Sequence, residues 1–285
     1  MGLTIRMAAA LAVVGAIYLA AAALLVLGFI ASRRNGNGVA AFGCLFFAAC
    51  VPLALVAHLR EGGKLALLAA RARMLGPNEE PELRAIVTRM AGQANMPAPA
   101  IALIDSRSPN AFAVGSSPAN EVVAITTELL SRLTPQELEA VVGHEISHLA
   151  NRDGMVMTFV AGPAMAGSFL WHNPDRRSKF VFALYAPVYA LGLLLMWTVS
   201  RYREYVADRG SALLTGAPEQ LMSALEKIAG KEPQGDLRGG AAISALCIVS
   251  IRSRGRLELF MDHPPLDKRV RRLEHIAHEL GKPAR

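Results

Sequence analysis

Apolar residues along this chain are gathered in blocks, and the blocks set its organisation. From Met7 to Ala31 the sequence is almost wholly apolar, with Arg6 before it and Ser32-Arg33-Arg34 after it. That length suits a helix crossing bilayer hydrocarbon and exceeds the apolar core of a cleaved signal peptide. A second run, Val39 to Ala57, follows the turn-forming stretch Asn35-Gly-Asn-Gly, so the pair predicts a transmembrane hairpin. Apolar character returns from Met155 to Trp171 and from Phe180 to Ser200, separated by the polar, basic stretch 172–179. The third run is short for a span and is interrupted by Gly162-Pro163, yet it reads as a crossing with its neighbour.

Between the two pairs the chain is mixed and charged. Leu83 to Asn95 has helical periodicity, and Ile101–Asp105 and Val122–Thr126 read as short strands around the segment Asn110-Ala-Phe-Ala-Val. After Ser200 the sequence is again polar and mostly helical, with a loop at 230–240 rich in glycine and charge. The expected fold is a mainly α integral membrane protein with about four transmembrane helices arranged as two hairpins, 1–58 and 155–199. These interleave with a discontinuous α+β domain with a small sheet, assembled from 59–154 and 200–285.

Composition supports this division. The apolar share of 53% is high for a soluble protein. The formal charge of +7 and pI near 9.7 raise the question of nucleic acid, but much of the basic charge flanks the apolar runs, where anionic headgroups account for it. A nucleic-acid partner is therefore not expected; the bilayer is. On the side of the polar domain lie Arg6, Arg60, Lys64, Arg71, Arg73, Arg152, Arg201, Arg203 and Arg209, against Arg33, Arg34, Arg176, Arg177 and Lys179 opposite. That bias predicts a domain facing the cytoplasm. Cys44, Cys50 and Cys247 sit in apolar stretches without a Cys-x-x-Cys spacing and read as small buried hydrophobes.

The chemistry-bearing string is His144-Glu-Ile-Ser-His148. Thr134-Pro-Gln-Glu137 is a capping box with proline at the first helical position, so a helix starts there and runs through the string. On it, His144 and His148 share one face and both imidazoles can reach one ion, with Glu145 beside them able to contact an activated water. Two nitrogens leave zinc short of its tetrahedron. A third histidine of the extended motif would need Gly at 151 and His at 154, where this chain has Asn151 and Gly154. The remaining common arrangement takes a Glu from a later helix. Glu204 supplies it, and Asp208, four residues on, can accept from the free ring N–H of a ligand histidine. Both parts of the site must lie on one side of the membrane, which requires two crossings between them. One Zn2+ per chain is the expected cofactor.

Four strings together resemble the HtpX-type membrane zinc metalloproteases, relatives of the prenyl-protein-processing membrane proteases. They are Asn110-Ala-Phe-Ala, His144-Glu-Ile-Ser-His-Leu-Ala-Asn, Ser200-Arg-Tyr-Arg-Glu-Tyr-Val-Ala-Asp and His263-Pro-Pro-Leu-Asp-Lys-Arg269. The match runs from about residue 75 to about residue 273, and the first hairpin matches only in hydropathy. The resemblance implies a zincin-like catalytic domain, a multi-pass enzyme of the bacterial cytoplasmic (inner) membrane with a cytoplasm-facing zinc site, and a part in quality control of membrane proteins. It also implies that His144, His148 and Glu204 bind zinc and that Glu145 is catalytic.

The reaction expected is zinc-assisted hydrolysis of peptide bonds, with Glu145 as general base and then acid. His263 or Tyr202 can supply a further oxyanion donor. His263 can alternatively serve as a removable ligand, and Arg269 is expected to anchor that segment to the core by an ion pair. Asn110, Ala111, Phe112 and Ala113 suit an edge strand to which an extended substrate adds itself. Two alternatives stay in view: a narrow-specificity processing protease, disfavoured by only four spans, and a non-catalytic zinc scaffold, disfavoured by the intact Glu145. Protein substrates, membrane proteins above all, are the expected partners; oligomeric state is not encoded legibly.

Overall fold

A computed structural model describes residues 2–171, 179–229 and 264–282. The chain divides into two compact units, Met1–Arg60 with Val156–Val199, and Glu61–Met155 with Ser200–Arg285.

The first unit opens with α1 (Gly2–Arg34) and α2 (Gly38–Ala69). Within α1, Met7–Arg34 is long and apolar enough to cross a membrane. In α2 the halves Ala41–Cys50 and Leu55–Ala69 pass the same test together, bent by 40° about a break that contains Pro52. Proline removes a ladder hydrogen bond and clashes with the preceding turn, which explains the bend. Leu19, Leu24, Leu27, Phe42, Leu45 and Leu53 are all exposed. A helix apolar all round and uncovered on its flanks is stable in lipid, where no water penalises those side chains.

The second expected hairpin falls on α6 (Asp153–Trp171) and α7 (Lys179–Thr215). In the first unit, Ala10 and Val14 of α1 bury against Val160 of α6 and Val199 of α7. The Tyr18 hydroxyl donates to the Phe159 carbonyl at 3.0 Å, and the two rings stack at 4.8 Å. A Cβ at Gly162 would lie 1.7 Å from the Tyr18 hydroxyl oxygen, so glycine permits this approach. The apolar run ending at Ser200 and the Glu204–Asp208 segment lie on one helix, α7, and not on a span followed by a separate helix.

The second unit is built on a four-stranded sheet of β1 (Arg73–Met74), β2 (Ala100–Ile104), β3 (Ala111–Val114) and β4 (Val122–Thr126), in the order β1-β2-β4-β3. Strands β2 and β4 pair in parallel, and the outer pairs are antiparallel. The period-2 alternation of a strand divides the side chains between two cores. Ile101, Ala111, Val123 and Ile125 pack with α3 (Pro81–Gln93), α5 (Pro135–Ala150) and α8 (Pro218–Ala229) through Leu83, Val87, Val141, Ile146, Leu221 and Leu225. Ala102, Ile104, Phe112, Val122 and Ala124 face the other way, onto Ala66, Leu67 and Ala70 at the end of α2. That second layer explains why α2 runs twelve residues past its apolar run: its last turns are a covering helix for the sheet. The short α4 (Thr127–Arg132) follows β4, capped by the Thr126 hydroxyl. The last described helix is α9 (Leu266–Glu279), whose Leu273 and Ile276 complete the larger core.

Candidate metal centre

Helix α5 begins as the capping box requires. Thr134 Oγ1 accepts from the Glu137 N–H at 3.3 Å, and Glu137 accepts from the Thr134 N–H at 2.8 Å. Glu137 also accepts from Ser223 at 2.6 Å and Lys227 at 2.7 Å on α8. Burial alone would raise its pKa, but these donors outweigh it and hold the carboxyl down near 2. The start of α5 is thus fixed to a neighbour, and the helix carries His144, Glu145 and His148 into a buried position. A carbonyl–hydroxyl bond ties α5 to α7: Ser211 Oγ donates to Ala140 O at 2.6 Å. The two helices meet closely enough that a Cβ at Gly210 would sit 2.3 Å from Ser147 Oγ.

That crossing brings Glu204 to the histidines. His144 Nε2 and His148 Nε2 are 3.1 Å apart, His144 Nε2 lies 3.6 Å from Glu204 Oε2, and His148 Nε2 lies 3.5 Å from Glu204 Oε1. Tetrahedral ligands about 2.0–2.2 Å from a zinc ion are separated by roughly 3.3–3.5 Å, so a triangle of this size fits one ion with a fourth position open. Among the described residues, His144, His148 and Glu204 form a group that could hold a metal ion, their ligand atoms all lying within 4.8 Å of one another.

Each of the other ring nitrogens faces a carboxylate. His144 Nδ1 is 3.1 Å from Asp208 Oδ1, and His148 Nδ1 is 2.5 Å from Asp153 Oδ2. Each carboxylate in turn meets a guanidinium. Arg269 donates to Asp208 through Nε at 2.9 Å and through its terminal nitrogen at 2.6 Å, while Arg203 Nε is 3.1 Å from Asp153. Arg269 Nη1 also stands 3.7 Å from Glu204. His144, Glu145, Glu204, Asp208 and Arg269 are all at most 3% exposed. With neutral imidazoles, the carboxylates of Glu145, Asp153, Glu204 and Asp208 exceed the guanidiniums of Arg203 and Arg269 by two negative charges, a balance that favours a cation among them.

The titration tendencies agree. Burial would lower the His144 pKa, yet hydrogen bonding to Asp208 and Glu204 prevails and lifts it to about 9, so positive charge is favoured there. Burial raises the Glu145 carboxyl above its usual range, with the two histidines offsetting part of that. Asp208 is desolvated as well, but Arg269 beside it brings its pKa below the ordinary value.

The backbone of Ala113 lies near enough to the Glu145 carboxyl to favour its charged form, which brings the helix and the sheet edge together at this point. Strand β3 is an edge of the sheet. Asn110 O accepts from Thr126 N at 2.9 Å, and the register pairs Phe112 with Ala124 and Val114 with Val122. Antiparallel alternation then turns the N–H and C=O of Ala111 and Ala113 outward, along the side where Glu145 stands. Asn110 is buried at the head of this edge. The Phe112 side chain goes to the opposite face, into the core beneath the sheet. Tyr202 is half-buried on α7, and its offset of two residues from Glu204 turns it about 200° around the helix, so it is not brought to the pocket with that carboxylate. His263, like Cys247, lies outside the described residues. Asp153 and Arg203 escaped sequence reasoning as site residues. The signal for Asp153 was an acid opening a new helix five positions after His148, beyond a left-handed Arg152 (φ 54°) that breaks the chain between α5 and α6.

The profile of Peptidase family M48 matches residues 77–277. "Protease HtpX homolog" of Moorella thermoacetica is 38% identical, covering 98% of this chain and 96% of its own length. "Protease HtpX homolog 2" of Methanosarcina acetivorans is 37% identical over 76% of this chain and 80% of its own. "Protease HtpX homolog 1" of Streptomyces coelicolor is 39% identical over 77% and 78%. Among solved structures, the crystal structure of S. mikatae Ste24p aligns with a TM-score of 0.49 at 16% identity, over 94% of this chain and 66% of that one.

Proposed function

The chain belongs to Peptidase family M48 and is a membrane metalloprotease, and from that premise we propose a zinc-dependent endopeptidase acting on misfolded or damaged membrane proteins. The observation that carries the reading is the convergence of His144, His148 and Glu204 at tetrahedral spacing beside a buried Glu145. Two imidazoles and a carboxylate form a donor set that catalytic zinc takes, with one position left for substrate or water.

His144, His148 and Glu204 would hold the zinc ion, which when bound would supply Lewis acidity toward the scissile carbonyl and toward water. The Glu145 carboxylate takes the proton of the attacking water and returns it to the leaving amine nitrogen. Its raised pKa narrows the gap to both partners, as a general base that becomes a general acid requires. Asp208 Oδ1, 3.1 Å from His144 Nδ1, favours the proton on that nitrogen and so leaves the Nε2 lone pair for the ligand triangle. The outward edge of β3 at Ala111 and Ala113, headed by Asn110, receives an extended substrate strand. His263 is proposed as a further oxyanion donor, a reading supported by the anchoring of Arg269, six residues later, at Asp208.

The membrane part is proposed as two hairpins, α1 with α2 and the apolar stretches of α6 with α7. The catalytic parts 59–154 and 200–285 then share the cytoplasmic face of the bacterial inner membrane, as the excess of basic residues flanking the apolar runs on that side favours.

The test is purification in detergent under chelation, zinc addition, and measurement of both self-cleavage and degradation of an unfolded membrane protein. Glu145→Gln is expected to retain zinc and lose roughly 10²–10⁴-fold in turnover. Cleavage at the original rate by that variant would overturn the mechanism. Full zinc occupancy without any proteolysis would favour a non-catalytic scaffold.

A further inference from the structure

We propose that Asp153, clamped by Arg203, is the positioning residue for His148, so that the site contains two arginine–carboxylate–histidine relays and not one. The inference rests on the metal-site reading above. Asp208 and Arg269 serve His144; Asp153 and Arg203 serve His148. The parallel is geometric. In both relays a carboxylate oxygen meets Nδ1, at 3.1 Å and 2.5 Å, and the Nε2 atoms of the two rings face each other at 3.1 Å. In both, an arginine Nε stands within about 3 Å of the same carboxylate, as a hydrogen bond of 2.9 Å from Arg269 to Asp208 and as an ion pair of 3.1 Å between Arg203 and Asp153.

An Nδ1–H given to a carboxylate fixes the tautomer, orients the ring and raises the basicity of Nε2. The arginine prevents the carboxylate from swinging away, and its charge makes the burial of a carboxylate beside a metal ligand tolerable. Asp153 is 5% exposed, so water does not take the place of either partner readily.

The two relays differ in where their parts lie along the chain. Asp208 and Arg269 come from α7 and α9. Asp153 is the first residue of α6, and Arg203 precedes the ligand Glu204 by one position on α7. The second relay therefore joins the residue where the chain leaves the catalytic unit for 156–199 to the helix on which it returns. A single bridge, Asp153 to Arg203, holds both ends of that excursion at His148.

A capping role is the competing account, because an acid in the first turn of a helix is favourable by itself. Asp153→Asn separates the two. Asparagine is compatible with a helix start, but it withdraws the negative charge from His148 and Arg203. The measurement is zinc affinity by chelator competition on the full-length protein in detergent, with the thermal midpoint of the metal-free protein alongside. The expected result is a roughly 10–100-fold weaker zinc affinity for Asp153→Asn, with a metal-free midpoint close to the parent. Asp153→Ala should be weaker still. Zinc affinity of Asp153→Asn within twofold of the parent would overturn the proposal, as would a loss confined to the metal-free midpoint. His148→Ala distinguishes failure of the underlying reading: if it binds zinc as the parent does, the ligand assignment itself is wrong, whereas loss of zinc there with parental affinity in Asp153→Asn condemns only the relay.

Discussion

The two units of this protein depart from the ordinary soluble pattern in opposite directions. In the first, large apolar side chains such as Leu19, Leu24 and Phe42 stand exposed; in the second, His144, Glu145, Glu204, Asp208 and Arg269 are buried. An exposed leucine needs only lipid around it, and any apolar residue of similar size would do. A buried carboxylate needs one particular partner in one particular place, because losing that partner leaves the full desolvation penalty. The exposed apolar flanks of the first unit are thus specified by composition and the buried charges of the second by pairings.

The largest effect on that contrast should come from Arg269→Ala. It strands Asp208, and the cost expected is about 3–5 kcal/mol, read as the denaturant midpoint of the detergent-solubilised protein. A change below about 1 kcal/mol would mean that the Asp208 pair is dispensable and the contrast overstated. Next, Leu225→Ala, in the fully buried core, should cost about 2–5 kcal/mol, whereas Leu27→Ala, 61% exposed, should leave the midpoint nearly unchanged. Equal losses would show that Leu27 is packed after all.

A smaller effect concerns pH. The Glu137 pKa is depressed from 4.5 to about 2 in the folded protein. A carboxyl lowered by folding stabilises above its unfolded pKa, and that contribution is lost as pH falls through the folded one. The stability difference between parent and Glu137→Gln should therefore be level above about pH 4.5 and shrink between there and about 2. A difference that is flat throughout that window would remove the Lys227 and Ser223 anchoring from the account. Smallest of all, Arg209→Gln breaks the solvent-exposed pair with Glu279 at 2.8 Å and should leave the midpoint unmoved within error.

The same contrast explains what could be read from the chain beforehand. Helix α5, its capping box, the strand Val122–Thr126 and the span beginning at Met7 follow from local rules: side-chain caps, period-2 alternation and apolar length. Glu204 and Asp208 can be singled out because they stand four apart on one helix face just after the last apolar run, which shows in sequence even though their approach to His144 and His148 does not. Strand β1 was missed because two residues, Arg73 and Met74, carry no periodicity. The extension of α2 to Ala69 was missed because Gly62-Gly63 and flanking charges look like a helix end; the sheet face it covers is remote in sequence. Asp153 and Arg203 read as ordinary charges beside apolar runs. Their pairing depends on the turn at Arg152 and on α7 returning the chain fifty residues later, neither of which a local pattern reveals.

X-ray absorption at the zinc edge of the purified protein tests the ligand assignment most directly. The result expected is one zinc per chain with two imidazole nitrogens and oxygen in the remaining positions near 2.0–2.2 Å, and loss of a low-atomic-number ligand or of zinc in Glu204→Ala. A sulfur ligand, or a spectrum and occupancy indifferent to both His148→Ala and Glu204→Ala, would contradict a metal centre built from His144, His148 and Glu204.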